Sequence, residues 1–498
     1  MRIQINEIDS IFFRDIQLIS QLFFEDCLVS FTTIDAPDLH VTFTLTGTES
    51  VLITADLLVV QTNKKYHSKC EKENKLTPHS KEWKKVVKHA VNFTYLDVLQ
   101  KLTGIIQKWG TLTGVRPIKL LHKKLTAGLS YNEARQSLQK EYMIQNEKIE
   151  LMQRVVSSQL KAIPDLYSLG NEVSIYIGIP FCPTKCAYCT FPAYAINGKH
   201  LSVSSFLGGL HYEIQEIGKW LKQSGMNVTT VYFGGGTPTS ITEIEMDLLY
   251  DQMYQSFPNT SRIREITVEA GRPDTITVEK LKVLKKWGID RISINPQSYI
   301  QETLKAIGRH HTVEETIEKF KLARQMGMKN INMDLIIGLP GEGINEFEYS
   351  LRETANLMPE SLTVHTLSFK RASEMTKNKQ KYKVAGREEI INMMNAAVEW
   401  TNQHGYEPYY LYRQKNILGN LENVGYSLKG HESLYNIIIM EEQQTILGLG
   451  CGASSKFVDP VSKKITRFAN PKDPKTYNDG FKHYTNEKIK LLSEMYSH

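Results

Sequence analysis

From Val173 onward the chain alternates short β-rich runs with amphipathic stretches: Val173-Ser-Ile-Tyr-Ile-Gly-Ile, Val228-Thr-Thr-Val-Tyr-Phe, Glu265-Ile-Thr-Val-Glu, Arg291-Ile-Ser-Ile-Asn, Ile331-Asn-Met-Asp-Leu-Ile-Ile and Ser361-Leu-Thr-Val-His. Six strand signals with helices between them predict parallel βα units, which right-handed crossovers curl into a complete or partial barrel. The first intervening helix puts Phe206, Leu210, Ile214, Ile217 and Leu221 on one face and stops at Gly225. Another opens with Thr312 and Glu315 at capping-box spacing, turns Ile317, Phe320 and Met326 inward and stops at Gly327. Upstream, Leu39-His-Val-Thr-Phe-Thr-Leu and Val51-Leu-Ile-Thr alternate as half-buried strands, and Tyr95 to Ile106 is apolar at helical spacing until Thr113-Gly-Val-Arg-Pro117 breaks it. Beyond Arg371 the pattern is mixed. The expected division is an N-terminal α+β domain over 1–110, a helical connector over 111–168, the βα barrel over 169–372 and a C-terminal α+β domain over 373–498 that covers the substrate.

Composition changes this picture little. At 498 residues, 41% hydrophobic and 23% charged, the chain has the make-up of a soluble globular protein of roughly three domains, not of a disordered or fibrous one. No apolar run approaches the roughly 18 residues that span a bilayer, and the acidic start lacks a signal peptide's apolar core, so a reducing cytoplasm is the expected location. The segment Lys64–Lys88 holds nine Lys and three Glu, an excess equal to the formal +6 of the chain. It lacks Arg and interleaved aromatics, and reads as a solvated, mobile surface segment rather than a nucleic-acid face.

The cysteines carry more. Cys27, Cys70 and Cys451 are scattered, whereas Cys182, Cys186 and Cys189 lie in one loop after the first barrel strand, Gly178-Ile-Pro-Phe-Cys182-Pro-Thr-Lys-Cys186-Ala-Tyr-Cys189. Three thiolates at this spacing can hold three irons of a [4Fe-4S] cluster and leave the fourth without a protein ligand. A structural zinc site needs four ligands, and the nearest candidate, His200, stands alone. Three buried structural cysteines are the other alternative, against which Pro180, Pro183 and Lys185 describe an exposed loop.

The loop resembles the signature of the radical S-adenosylmethionine (radical SAM) enzymes, C-x3-C-x-aromatic-C after the first strand of a partial (β/α)6 TIM-like barrel. The resemblance implies that SAM chelates the open iron, that a low-potential electron cleaves its sulfonium, and that a 5′-deoxyadenosyl radical abstracts hydrogen, with Tyr188 beside cluster and adenine. In such a barrel functional groups belong at the carboxyl ends of the strands. There lie Gly234-Gly-Gly-Thr-Pro-Thr239, whose bare backbone could approach the SAM amino acid, Glu269, which could accept from its ammonium, Gln297, and Asp334 inside an apolar run. A buried Asp needs a ligand or a Lys or Arg, and Arg309 is a candidate partner for it or for a carboxylate.

The chain further resembles the oxygen-independent coproporphyrinogen III oxidase (coproporphyrinogen dehydrogenase) family, over roughly Val173 to Phe369. Tyr176-Ile-Gly-Ile-Pro-Phe-Cys182 matches the family's Tyr-x-His-Ile-Pro-Phe-Cys, and Gly-Gly-Gly-Thr-Pro-Thr, Glu269, Gln297, Arg309 and Asp334-Leu-Ile-Ile-Gly-Leu-Pro340 follow in family order. By resemblance Tyr176, Gly235 and Glu269 contact the cluster-bound SAM, while Gly236, Thr237, Gln297, Arg309, Asp334 and Ser368 line the rest of its surface or a second SAM. No catalytic residue beyond cluster and SAM is implied. Departures mark a divergent branch: Gly178 replaces the family's His, Thr190-Phe191 replaces Gly-Cys, and Ala270-Gly-Arg-Pro273 and Asn295-Pro-Gln297 replace Asp-Pro and Gly-Val-Gln.

The family implies two outcomes. One is decarboxylation of two propionates of coproporphyrinogen III to vinyl groups, giving protoporphyrinogen IX, with a low-potential donor such as flavodoxin or ferredoxin and neither membrane nor nucleic acid as partner. The other is a heme-binding chaperone. The chaperone branch carries His-Asn-x-x-Tyr-Trp where this chain reads Glu422-Asn-Val-Gly-Tyr-Ser427, closer to the decarboxylase. A radical SAM enzyme on another substrate, such as a methyltransferase, is a further alternative. Leu447-Gly-Leu-Gly-Cys-Gly-Ala453 resembles a segment common to both branches, Cys451 reading as packing, and Lys370, Arg371 and Arg413 are candidate cations for a tetracarboxylate.

Overall fold

The computed structural model describes residues 1–24, 26–46, 50–73, 80–114, 116–191, 193–196, 203–369, 373–414 and 417–496. His200, Lys370, Arg371 and the middle of the Lys-rich segment lie outside them. The chain divides into two compact units, Met1–Gln153 and Arg154–His498.

In the first unit, alternating apolar residues build a five-stranded sheet from β1 (Arg2–Asn6), β2 (Leu28–Ser30), β3 (Leu39–Thr46), β4 (Ser50–Val59) and β5 (Lys65–Glu73), in the order β2-β1-β3-β4-β5. Leu39, Val41 and Phe43 of β3 and Val51, Ile53, Ala55 and Leu57 of β4 are buried with Val87, Val91 and Leu96 of the helix Lys81–Thr103. The described part of the Lys-rich segment is thus ordered secondary structure rather than a mobile surface segment. It comprises the edge strand β5, with Lys65 and Lys69 exposed, and the start of this helix, capped by Ser80, which accepts from Trp83 N at 3.1 Å. Lysines on an edge strand keep it from pairing with other chains.

The second unit contains β6 (Glu172–Ile179), β7 (Phe181–Cys182), β8 (Tyr194–Ala195), β9 (Asn227–Gly235), β10 (Glu265–Glu269), β11 (Arg291–Ser293), β12 (Ile331–Ile337), β13 (Ser361–Thr366), β14 (Glu407–Tyr412), β15 (Asn423–Ser427), β16 (Thr445–Gly450), β17 (Ser454–Val458) and β18 (Ile465–Ala469). Its large sheet runs β14-β15-β13-β12-β11-β10-β9-β6-β16-β17-β18. The six predicted strands β6, β9, β10, β11, β12 and β13 stand side by side and parallel, as expected of a partial βα barrel. The segment beyond 372 makes no sheet of its own among the described residues. Its β14 and β15 extend one side, and β16 pairs parallel with β6 on the other.

Side chains of β6 alternate between an apolar outer face, Ile175, Ile177 and Ile179, and an inner face of Ser174, Tyr176 and Gly178. The outer face is covered by the helix Val203–Ser224, whose Phe206, Leu210, Ile214, Ile217 and Leu221 are all buried and which ends at Gly225 with φ +70°. The helix Val313–Gln325 is capped by Thr312, which accepts from Glu315 N at 3.0 Å. Its buried face is Thr316, Phe320 and Ala323, with Ile317 and Met326 only half-buried, a rotation of the stripe the sequence suggests.

Candidate functional site

The parallel strands end at one cleft, and the register decides what reaches it. Tyr176 pairs with Tyr232 and Gly178 with Gly234 between β6 and β9, while Glu269 is the last residue of β10. Past Ile179 the chain turns into the short ribbon β7–β8, in which Phe181 pairs with Tyr194 and Cys182 with Ala195. The loop between these strands carries Cys186 and Cys189. It is tied down by Ala187 N to Ile307 O at 2.9 Å, Met375 N to Ala187 O at 3.0 Å, Cys189 N to Cys186 O at 3.1 Å and Thr184 Oγ1 to Gly308 O at 3.3 Å. Pro180 is buried and Pro183 half-buried, so the loop is less exposed than its prolines suggest, and only Lys185 of the three flanking residues is solvated.

Cys182, Cys186 and Cys189 line the cleft together with Tyr188, Gly236, Thr237, Glu269 and Arg309, and with Thr184, Gly271, Arg272 and Asn295. None of the six cysteines forms a disulfide. Among the described residues no three Cys, His, Asp or Glu side chains converge as one metal ion would require. Three thiols around one cleft, each able to take its own iron, fit a polynuclear cluster instead. Burial pushes the Cys182 thiol up to about 11, against a hydrogen-bond contact of 3.3 Å with Thr237 Oγ1, and a buried thiol of this kind ionises when iron takes the proton's place.

Two guanidinium groups stand on the Cys186 side. Arg309 donates from Nη1 to Asn295 O at 2.8 Å and Gly271 O at 3.2 Å, and its guanidinium also reaches Tyr188 and Cys186. Arg272 donates to Thr184 Oγ1 at 3.0 Å and lies 4.0 Å from Cys186 Sγ. Burial raises the Tyr188 phenol well above its ordinary value, so it stays neutral beside Arg309.

The glycine run is used by the protein itself. Gly236 N donates to Ile179 O and Thr237 N to Phe181 O, both at 2.7 Å, and a Cβ on Gly236 would come 2.5 Å from Phe181 O. The bare backbone therefore lets the start of the cysteine loop lie against the chain just past β9. At Gly178, where the resembling family has His, a Cβ would meet Cys451 O at 3.0 Å.

Glu269 accepts from Tyr232 OH at 2.6 Å and from Gly235 N. Desolvation pushes its carboxyl from 4.5 up to about 7, the two hydrogen bonds acting against this and Asp334 adding to it. Tyr176 stands behind it in a stack with Tyr232 (centroids 6.1 Å) and Tyr435 (6.3 Å). Asp334 is not paired with Arg309. Burial raises its carboxyl, but His365, Asn332 at 2.8 Å and Thr363 outweigh this and hold it below the usual range. His365 Nε2 lies 3.5 Å from Asp334 Oδ2, and its Nδ1 is 3.2 Å from Tyr412 OH.

Gln297, at φ +66°, donates from N to Asp334 O at 2.9 Å, and its buried Oε1 has no protein partner among the described residues. Ser368 lies past β13, bridged to Ile417. Arg413 is buried and donates to Asn420 and to Leu421 O, which removes it from the candidates for substrate carboxylates. Arg272, Tyr232, Tyr435 and His365 were not singled out by the sequence. Two of them had a signal: Tyr232 is two residues before Gly234 on the inner face of β9, and Arg272 sits in the segment Ala270-Gly-Arg-Pro273 that departs from the family.

The model of the radical SAM superfamily matches residues 176–354. The chain is 63% identical over 497 residues to the oxygen-independent coproporphyrinogen-III oxidase-like protein HemZ of Bacillus subtilis, covering 100% of this chain and 99% of that one. It is 30% identical over 325 residues to the heme chaperone HemW of the same organism, covering 64% and 80%. Among solved structures, coproporphyrinogen III oxidase (HemN) from Escherichia coli, a radical SAM enzyme, matches with TM-score 0.52 and 21% identity over 65% of this chain and 73% of that one, a likeness of fold. No described helix is long and apolar enough to cross a membrane.

Proposed function

Because the chain belongs to the radical SAM family of the oxygen-independent coproporphyrinogen-III oxidase-like proteins, a family that implies a [4Fe-4S] cluster and SAM, we propose that it oxidatively decarboxylates two propionates of coproporphyrinogen III to vinyl groups. Each round removes one hydrogen atom from a propionate β-carbon, releases CO2 and passes one electron to an acceptor, and two rounds give protoporphyrinogen IX. When bound, cluster and SAM supply one-electron chemistry able to take a hydrogen atom from an unactivated carbon. The observation that carries the reading is the convergence of three thiols and Glu269 on one cleft at the carboxyl ends of the strands.

Cys182, Cys186 and Cys189 would each hold one iron. Glu269 would accept from the SAM ammonium, with Tyr232 and Gly235 fixing its oxygens. Tyr188 and Arg309 would flank cluster and SAM, Gly236 and Thr237 the near wall, and Tyr176, Gln297, Asp334 and Ser368 the rest. The cytoplasm and a flavodoxin or ferredoxin donor complete the proposal. Against the chaperone reading stands residue 422, where that branch has His: here it is Glu422, 1% exposed and immediately before β15.

The test is anaerobic: protein with reconstituted cluster, reductant, SAM and coproporphyrinogen III, assayed for CO2 and protoporphyrinogen. SAM cleavage without either product sinks the decarboxylase reading, and stoichiometric heme binding without product favours the chaperone. Cys186→Ala should lose the four-iron spectrum and SAM cleavage together.

A further inference from the structure

Arg272 lies three residues past β10, where its backbone leaves the sheet, yet it is only 3% exposed. A guanidinium is costly to bury unless its donors are satisfied and its charge matched. Asp274 does both on one edge, taking Nε at 3.0 Å and Nη2 at 2.8 Å in a two-pronged pair. The pair leaves Nη1 aimed at the cysteine loop, where it meets Thr184 Oγ1 at 3.0 Å, Thr184 O at 3.3 Å and Cys186 Sγ at 4.0 Å. One rigid fork thus links the end of β10 to two positions of the loop.

We propose that Arg272 is a positioning residue for the iron–sulfur cluster, holding the Thr184–Cys186 turn and raising the cluster's reduction potential, with Asp274 as the opposing charge. This rests on the reading above that the three cysteines hold the cluster. Reduction adds one electron from a one-electron donor, dithionite in the test. No bond forms or breaks, no proton moves, and the charge beside Cys186 becomes one unit more negative. A fixed positive charge facing that sulfur favours the reduced form, more strongly in a half-buried cleft than in water. Asp274 lies on the far edge of the same guanidinium and works in the opposite sense.

The test uses the full chain as wild type, Arg272→Gln, Arg272→Lys and Asp274→Asn, each reconstituted anaerobically. Iron and sulfide are counted, and the midpoint potential is read by EPR during a mediated dithionite titration without SAM. Arg272→Gln should titrate at lower potential and Asp274→Asn at higher potential, on the scale of a tenfold change in the one-electron equilibrium, about 59 mV. Arg272→Lys, which keeps the charge and loses the fork, should fall between Arg272→Gln and wild type. A merely structural arginine would not give shifts of opposite sign. Unchanged potentials, or shifts of the same sign, overturn the proposal. Should Arg272→Gln keep its melting temperature but take up no cluster, Asp274→Asn decides: a raised potential supports the proposal and an unmoved one overturns it. Wild type that takes up fewer than four irons defeats the ligand reading itself, and this proposal with it, a result distinct from a full cluster whose potential ignores both substitutions.

Discussion

Glu269 meets two opposing demands. To hold a SAM ammonium it must be ionised, while its surroundings move its carboxyl from 4.5 to about 7. A carboxyl raised in the folded state binds its proton more tightly than in the unfolded chain, so its contribution to the stability of the ligand-free protein declines as pH rises through that window. Binding of SAM must release the same proton below about pH 7. Affinity of the cluster-loaded protein for SAM should therefore fall by up to about tenfold per unit as pH drops below about 7. Glu269→Gln should bind more weakly at about pH 8 and show no slope, as equilibrium dialysis over this range would reveal; a retained slope would assign the proton elsewhere. Spacing alone made the cysteines legible, and strand position made Glu269 and Asp334 so. The partner of Asp334 was not legible, because His365 comes from the neighbouring strand in a register that a linear pattern does not state.

Helix ends follow capping closely, since that signal is local, whereas a face can rotate, as that of Val313–Gln325 does. The helix Val203–Ser224 keeps its predicted face, and it also contains two adjacent glycines with different surroundings. A Cβ on Gly208 would meet nothing within 4 Å, whereas one on Gly209 would meet Phe481 at 3.2 Å. Gly208 is exposed and inside the helix, so Gly208→Ala should stabilise by about 1 kcal/mol through lower backbone entropy in the unfolded chain, read as a raised melting temperature. Gly236→Ala should do the reverse. Its Cβ would sit 2.5 Å from Phe181 O, backbone that cannot swing aside, so β7 must move and Cys182 with it. Iron content after reconstitution should fall in Gly236→Ala and stay at the wild-type level in Gly208→Ala. The sequence alone marks Gly234 to Gly236 as a place for a ligand to approach backbone; in the structure Gly236 also admits the backbone of Phe181, at the start of the cysteine loop.

At the scale of the second unit, the parallel pairing of β6 with β16 joins residues such as Gly178 and Gly450, and no local pattern announces a contact so distant in the chain. What secures it is equally non-local. Glu213, on the helix that covers β6, is wholly buried and accepts from Gly450 N at 2.7 Å, Tyr477 OH at 2.7 Å, Asn470 Nδ2 at 3.0 Å and Lys488 Nζ. Lys488, equally buried, also donates to Gly448 O on β16. The carboxylate thus gathers the helix Val203–Ser224, the end of β16 and the final helix Pro474–Tyr496 around one charge pair. Removing one partner of such a pair strands the other, at a cost of about 3–5 kcal/mol, whereas replacing both by groups of similar size can be nearly neutral. Glu213→Gln should therefore lower the urea midpoint sharply, and Glu213→Gln with Lys488→Met should recover most of the loss. Because β16 is the direct neighbour of the strand that leads into the cysteine loop, the single variant should also retain less iron at a temperature near its own melting onset than the double variant does. Equal urea midpoints for the single and double variants would show that the pair is not what pins β16, and would move that role to the apolar contact between the two helices, where Phe481 faces Tyr212 at 5.3 Å.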